Sequence, residues 1–93
     1  MPNTPAAIGC GMTSVAYGDG FGEADKARVM AFVQSFGEGE VLSEHLFDAA
    51  TAVAGCSPAY VYMFIEAMAD AGVAEGLPRA SAYRMAAAAV AGS

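Results

Sequence analysis

The 93 residues make one small domain or a piece of a larger one, and 56% of them are hydrophobic. A chain of this size buries only about 60–65% of the surface that its unfolded form exposes, so a mean hydropathy of +0.41 is more apolar material than it hides by itself. A net charge of −6 with four Lys and Arg residues leaves no basic stripe for nucleic acid, and Cys10 and Cys56 are too few and too far apart for a disulfide framework or a C-x-x-C metal site.

Residues 1–5 hold two prolines and are expected to form a loop. Residues 6–17 mix small and β-branched side chains around Gly9 and Gly11, the pattern of a short strand or two in which glycine permits close approach. Gly18, Asp19 and Gly20 mark a turn. Residues 23–36 predict an amphipathic helix, because Val29, Phe32, Val33 and Phe36 fall at i, i+3, i+4 and i+7. Glu23 and Asp25 occupy its first turn, where the helix dipole favours anions, and Gly37 is the expected stop. A short strand is expected over 39–42.

Three further helices follow. Ser43 is the expected N-cap of a helix over 44–54, with Leu46, Phe47, Ala50, Val53 and Ala54 as its apolar stripe. Gly55 is expected to end it, and Ser57 and Pro58 to restart the chain as N-cap and first helical residue. The second helix runs to about Glu75, with Gly76 as its stop, and is apolar nearly all round, so it needs a covering partner. Pro78 opens a third helix that reaches Ala91. Its second half contains only Met, Ala and Val, as in a helix packed on several sides. The longest clean apolar run, 59–65, ends at Glu66 and is short of the about 20 residues that span a membrane. Nor does the segment after Met1 carry the basic and apolar regions of a signal peptide. A soluble, cytoplasmic chain with two reduced thiols is the expectation.

Ordered motifs in this sequence strongly resemble pyrroline-5-carboxylate reductase. That family's pattern includes M-P-N-T-P-A, then D-x-x-T-x-x-S-G-S-G-P-A-Y, then E-A-x-x-D-A-G-V-x-x-G-L-P-R. Met1 to Ala6, Asp48, Thr51, Gly55, Pro58 to Tyr60, Glu66, Ala67, Asp70 to Val73 and Gly76 to Arg79 match in order. The departures are Ala54, Cys56 and Ser57, where the family carries Ser, Ser and Gly. The resemblance implies an α+β fragment, mainly α: a short β-α-β remnant of a Rossmann domain over 1–43, then three helices of a dimerisation domain over 44–93. It also implies reduction of 1-pyrroline-5-carboxylate to L-proline with NADPH or NADH, in a homodimer or larger homo-oligomer assembled through 58–91.

The same resemblance places Pro2, Asn3 and Thr4 beside the nicotinamide, where an amide and a hydroxyl would bond the cofactor or hold the loop. The plain alternative is a proline-bounded turn with Asx chemistry. The family's dinucleotide fingerprint belongs upstream and its substrate loop downstream of these residues, so this chain is expected to be catalytically silent by itself. Gly9 to Ser14 only imitates G-x-G-x-x-G, since Ser holds the last place and no long helix follows directly. Glu66 and Asp70 are expected to edge a watered stripe or pair with Arg79 or Arg84 rather than work as an acid–base pair. His45 is expected on the surface. Tyr60, Tyr62, Met63, Phe64 and Met68 are expected in a core or subunit interface rather than a ligand pocket. The alternative outside catalysis is a helical module whose only activity is self-association.

Overall fold

A computed structural model describes residues 1–93. It divides into two compact units, Met1–Pro58 and Ala59–Ser93.

The first unit is built on a β-α-β element. Strand β1 (Gly11–Val15) and strand β2 (Gly37–Val41) pair in parallel, with Gly11 opposite Gly37 and Val15 opposite Val41. Helix α1 (Glu23–Gln34) makes the crossover that a parallel pair requires. Gly39 lies tight under α1: a Cβ there would meet Met30 Sδ at 2.7 Å and Val33 Cγ1 at 2.8 Å. Val33, buried on α1, and Val15, buried on β1, are the large apolar residues of this small core.

Three local expectations change here. Residues 6–8 are not a strand but lie in a 3-10 turn, Thr4–Ile8. Pro5 sets its first turn, and left-handed Gly9 (φ 76°) closes it by donating to the Ala6 carbonyl. Helix α1 stops before Gly37. Ser35 ends it, donating from Oγ to the Phe32 carbonyl at 2.6 Å. Gly37 instead opens β2 at φ 150°, with the Gly11 backbone lying where a side chain would go. Of the apolar stripe of α1 only Val33 is buried. Phe32 is 69% exposed and stacks edge-on against Phe36, their ring centroids 5.4 Å apart.

The helix expected over 44–54 is a composite. A 3-10 turn (Glu44–Leu46) leads into one α-helical turn, α2 (Phe47–Ala50), and then a π turn (Thr51–Gly55). Ser43 makes no capping bond through its side chain. The expected break at Gly55 does not occur, for a reason that lies in Pro58. In an α-helix its missing N–H would leave the Ala54 carbonyl without a donor, and its ring would clash with that carbonyl. The backbone widens ahead of it, so that Cys56 N–H reaches the Thr51 carbonyl, five residues back, at 2.9 Å. Ser57 does not cap; its hydroxyl turns back to the Val53 carbonyl. The helical path therefore runs from Glu44 to Ala74, 31 residues. By length and composition alone that path is long and apolar enough to cross a membrane, although no single run in the sequence is.

Helix α3 (Ser57–Ala74) ends in a Schellman motif. Gly76 takes φ 98°, its N–H donates to the Val73 carbonyl at 3.0 Å, and Leu77 N–H donates to the Gly72 carbonyl at 2.9 Å. Leu77 then lies over Gly72, where a Cβ would meet its Cδ1 at 3.1 Å and Ala82 Cβ at 3.4 Å. Pro78 is the N-cap residue of α4 (Arg79–Ala91). The buried residues of this unit are all small: Ala69, Ala82 and Ala86. Of the segment expected to be packed on several sides, only Ala86 is buried within this chain, and Met85 is 57% exposed.

Candidate functional site: a clamped loop and an uncovered helix

Residues 1–3 run antiparallel along the free edge of β1. Ser14 N–H donates to the Met1 carbonyl at 3.0 Å, Asn3 N–H donates to the Met12 carbonyl at 3.1 Å, and Pro2 bridges Thr13. Pro2 suits this place because an edge residue needs no ladder donor on its outer side. The Asn3 carbonyl accepts from Ala6 N–H as the 3-10 turn begins. Its side chain does two further jobs. Oδ1 accepts from Met12 N–H at 2.9 Å, and Nδ2 donates to the Ala54 carbonyl at 3.0 Å, inside the π turn. Both ends of the amide are thus held by backbone.

Pro2 and Thr4 are exposed, and the Thr4 hydroxyl makes no hydrogen bond within the chain. The loop therefore offers a polar ligand one exposed hydroxyl on a backbone that is fixed from both sides. The glycines of the Gly9–Ser14 imitation do not form a phosphate cradle. Gly11 is packed against Ala6, whose Cα would lie 2.8 Å from a Cβ there, and against Gly37 of β2. The packed glycines leave no room for a pyrophosphate at this turn.

The second feature is α3. Tyr60, Met63 and Phe64 fall at i, i+3 and i+4 and are 64%, 67% and 59% exposed, while Val61, Tyr62 and Met68 are exposed beside them. So many exposed aromatic and Met side chains make an apolar face of the kind found at interfaces. Asp70 pairs with Arg79 and is not poised for acid–base work beside Glu66. That contact raises the guanidinium pKa above its ordinary value, chiefly through the hydrogen bond that Arg79 donates to the Asp70 carboxylate. His45 is exposed in the 3-10 turn.

Sequence reasoning reached Asn3 and the apolar helix but missed the acceptor 51 positions away. One signal was available: a proline within a helical stretch always frees the carbonyl four residues back, and here that carbonyl belongs to Ala54.

Comparison with known proteins agrees with this geometry. The family model described as pyrroline-5-carboxylate reductase dimerisation matches residues 44–93. The pyrroline-5-carboxylate reductase of Escherichia coli (strain K12) is 53% identical over 93 residues, all of this chain and 35% of that protein. The enzyme of Arabidopsis thaliana is 43% identical over the same length, 34% of that protein. Among solved structures, the Plasmodium falciparum pyrroline carboxylate reductase with NADP bound superposes with a TM-score of 0.87 at 38% identity, over 99% of this chain and 38% of that one. The Streptococcus pyogenes 1-pyrroline-5-carboxylate reductase gives a TM-score of 0.87 at 42% identity, over 99% of this chain and 36% of its own. The chain spans about a third of the length of the curated relatives that it matches. With the resembling motifs, the β-α-β element and the apolar helix all in place, the chain belongs to the pyrroline-5-carboxylate reductase family.

Proposed function

We propose that this chain is part of a pyrroline-5-carboxylate reductase, which reduces 1-pyrroline-5-carboxylate to L-proline with NADPH or NADH. The observation that carries the reading is 53% identity along the entire chain to an enzyme of that name. The nicotinamide would supply the hydride; protein residues in such a reaction bind and orient. Pro2, Asn3 and Thr4 are the cofactor-side loop in this reading, with the Thr4 hydroxyl facing the ligand. Residues 1–43 close the dinucleotide-binding domain, and 44–93 begin the dimerisation domain. A second copy of the protein covers the exposed face within 58–91, in preference to lipid or nucleic acid, and the free thiols of Cys10 and Cys56 suit a reducing, cytoplasmic compartment.

The test is NADPH oxidation by the intact protein on addition of 1-pyrroline-5-carboxylate, beside the 93-residue chain alone. Turnover by the intact protein and none by the chain is the expected result. Failure of the intact protein to turn over, with self-association retained, would leave the stand-alone oligomerisation module as the reading.

A further inference from the structure

We propose that Asn3 is a positioning residue, standing in for the backbone N–H that Pro58 lacks and so fixing the Pro2–Thr4 loop against the π turn. The inference starts from hydrogen-bond accounting. Every carbonyl inside a helix expects a donor four residues on, and Pro58 has none to give to Ala54. A buried carbonyl left without a partner is costly, and helices next to proline are commonly repaired by a side chain or a water. Here both carbonyls next to the break are repaired by side chains. The Ser57 hydroxyl serves Val53, one turn back in the same helix, whereas Ala54 is served from 51 positions away by Asn3 Nδ2 at 3.0 Å.

The geometry works in both directions. Asn3 Oδ1 holds Met12 N–H at 2.9 Å on β1 while Nδ2 holds Ala54, so the amide ties the strand edge to the helical path. The side-chain orientation is fixed by its partners, since an N–H can meet only the oxygen and a carbonyl only the nitrogen. Met1 reinforces the same junction, its Cε lying 4.0 Å from the site a Gly55 Cβ would occupy. Pro58 and Asn3 therefore act as one device: the proline creates a vacant acceptor at a defined place, and the loop is held wherever that acceptor lies. The proposal rests on the reductase reading only for the consequence drawn for the cofactor.

A double-mutant cycle on folding stability of the intact protein tests the device itself. Pro58→Ala restores an N–H for the Ala54 carbonyl. Asn3→Asp keeps the acceptor for Met12 and removes the donor for Ala54; Asn3→Ala removes both. Each Asn3 substitution is expected to lower the folding constant about tenfold in the Pro58 background, the range for leaving a part-buried acceptor without its donor. Asn3→Asp should lose most of that effect in the Pro58→Ala background. Equal losses in the two backgrounds would overturn the proposal, and Asn3→Asp serves if Asn3→Ala does not fold. The kinetic arm asks for more than structure. Asn3→Asp is expected to raise KM for NADPH several-fold with kcat little changed, and Pro58→Ala to reverse part of it. An unchanged KM alongside the stability coupling would overturn the positioning role. If the wild-type protein shows no hydride transfer, the stability cycle still decides the Asn3–Pro58 device while the activity reading alone falls.

Discussion

At the scale of single residues, backbone space decides more than side-chain chemistry. Gly37 lies at φ 150°, and a Cβ there would sit 2.6 Å from the Gly11 carbonyl carbon. Nothing flexible can give way, because both sides of that contact are main chain in a parallel pair. Gly37→Ala is expected to destabilise the first unit by about 3 kcal/mol or more, by overpacking and backbone strain together. Gly18→Ala, with no atom within 4 Å of its Cβ and no positive φ, should be neutral or stabilising by about 0.5 kcal/mol. Urea denaturation of the two variants checks the contrast. Glycines of these two kinds look alike in the sequence, where Gly37 reads as a helix stop, since a close approach between backbones 26 positions apart has no local signature.

The Glu23–Lys26 pair gives a pH prediction at the same scale. The ammonium donates to Glu23 Oε1 at 2.9 Å. That hydrogen bond, with its charge, holds the Glu23 carboxyl below its ordinary 4.5 and the Lys26 amine above its ordinary 10.5. A lowered carboxyl contributes stability above 4.5 that is lost as pH falls through the folded value; a raised amine contributes below 10.5 and loses it as pH rises through the folded value. The contribution of the pair is thus flat between those limits. The difference in unfolding midpoint between wild type and Lys26→Met should be constant at neutral pH and vanish in acid well below 4.5. Both side chains face water, so the difference is small and should shrink with added salt. A difference that survives in strong acid would show that Lys26 acts through packing against Tyr17, whose ring centroid lies 5.8 Å from Nζ.

At the scale of elements, helix ends controlled by nearby residues were legible and those controlled from a distance were not. Gly76, Leu77 and Pro78 announce the end of α3 in the sequence, and the structure forms the Schellman motif they imply. Gly76→Ala must place a Cβ at φ 98°, which costs about 1–2 kcal/mol. Gly76→Asn should recover part of it, because Asn tolerates the left-handed region. Thermal unfolding followed by helical circular dichroism orders the three proteins. The Gly55–Pro58 segment is the opposite case. Its residues read as a break, yet α3 continues the helical path from Glu44 because the π turn, Ser57 and Asn3 together serve the carbonyls that a break would have turned to water. The helix period gives no warning of this, for the π turn adds one residue and resets the phase. The β-α-β order was readable from composition shifts and turn residues, but its boundaries moved by a few residues wherever a glycine faced a neighbouring backbone.

At the scale of the molecule, the governing fact is apolar surface without cover. In the second unit the buried residues are alanines, whereas Tyr60, Tyr62, Met63 and Phe64 stand more than half exposed. Covering one such side chain is worth about 1.5–3 kcal/mol, so a few of them, paired with the same residues of a second copy around a two-fold axis, suffice for micromolar association after the entropy of binding is met. The same apolar path satisfies the length of a membrane span, so a second copy and lipid are competing covers. The charges decide between them: Glu66 and Asp70 both lie exposed within α3, and each carboxylate at the centre of a bilayer costs about 2.5–3.5 kcal/mol even on the most lenient scale. These costs support the proposed second copy as the cover. Phe64→Glu is expected to weaken it at least tenfold, one buried charge being worth more than the 1.4 kcal/mol that a factor of ten requires, without loss of helical circular dichroism. Sedimentation equilibrium of wild type and Phe64→Glu over a range of concentrations reads this directly, and flotation with phosphatidylcholine vesicles reads the competing cover. A wild-type protein that remains monomeric at tens of micromolar, or that floats with the vesicles in preference to associating in water, would show that the exposed face of α3 is covered by something other than a second copy.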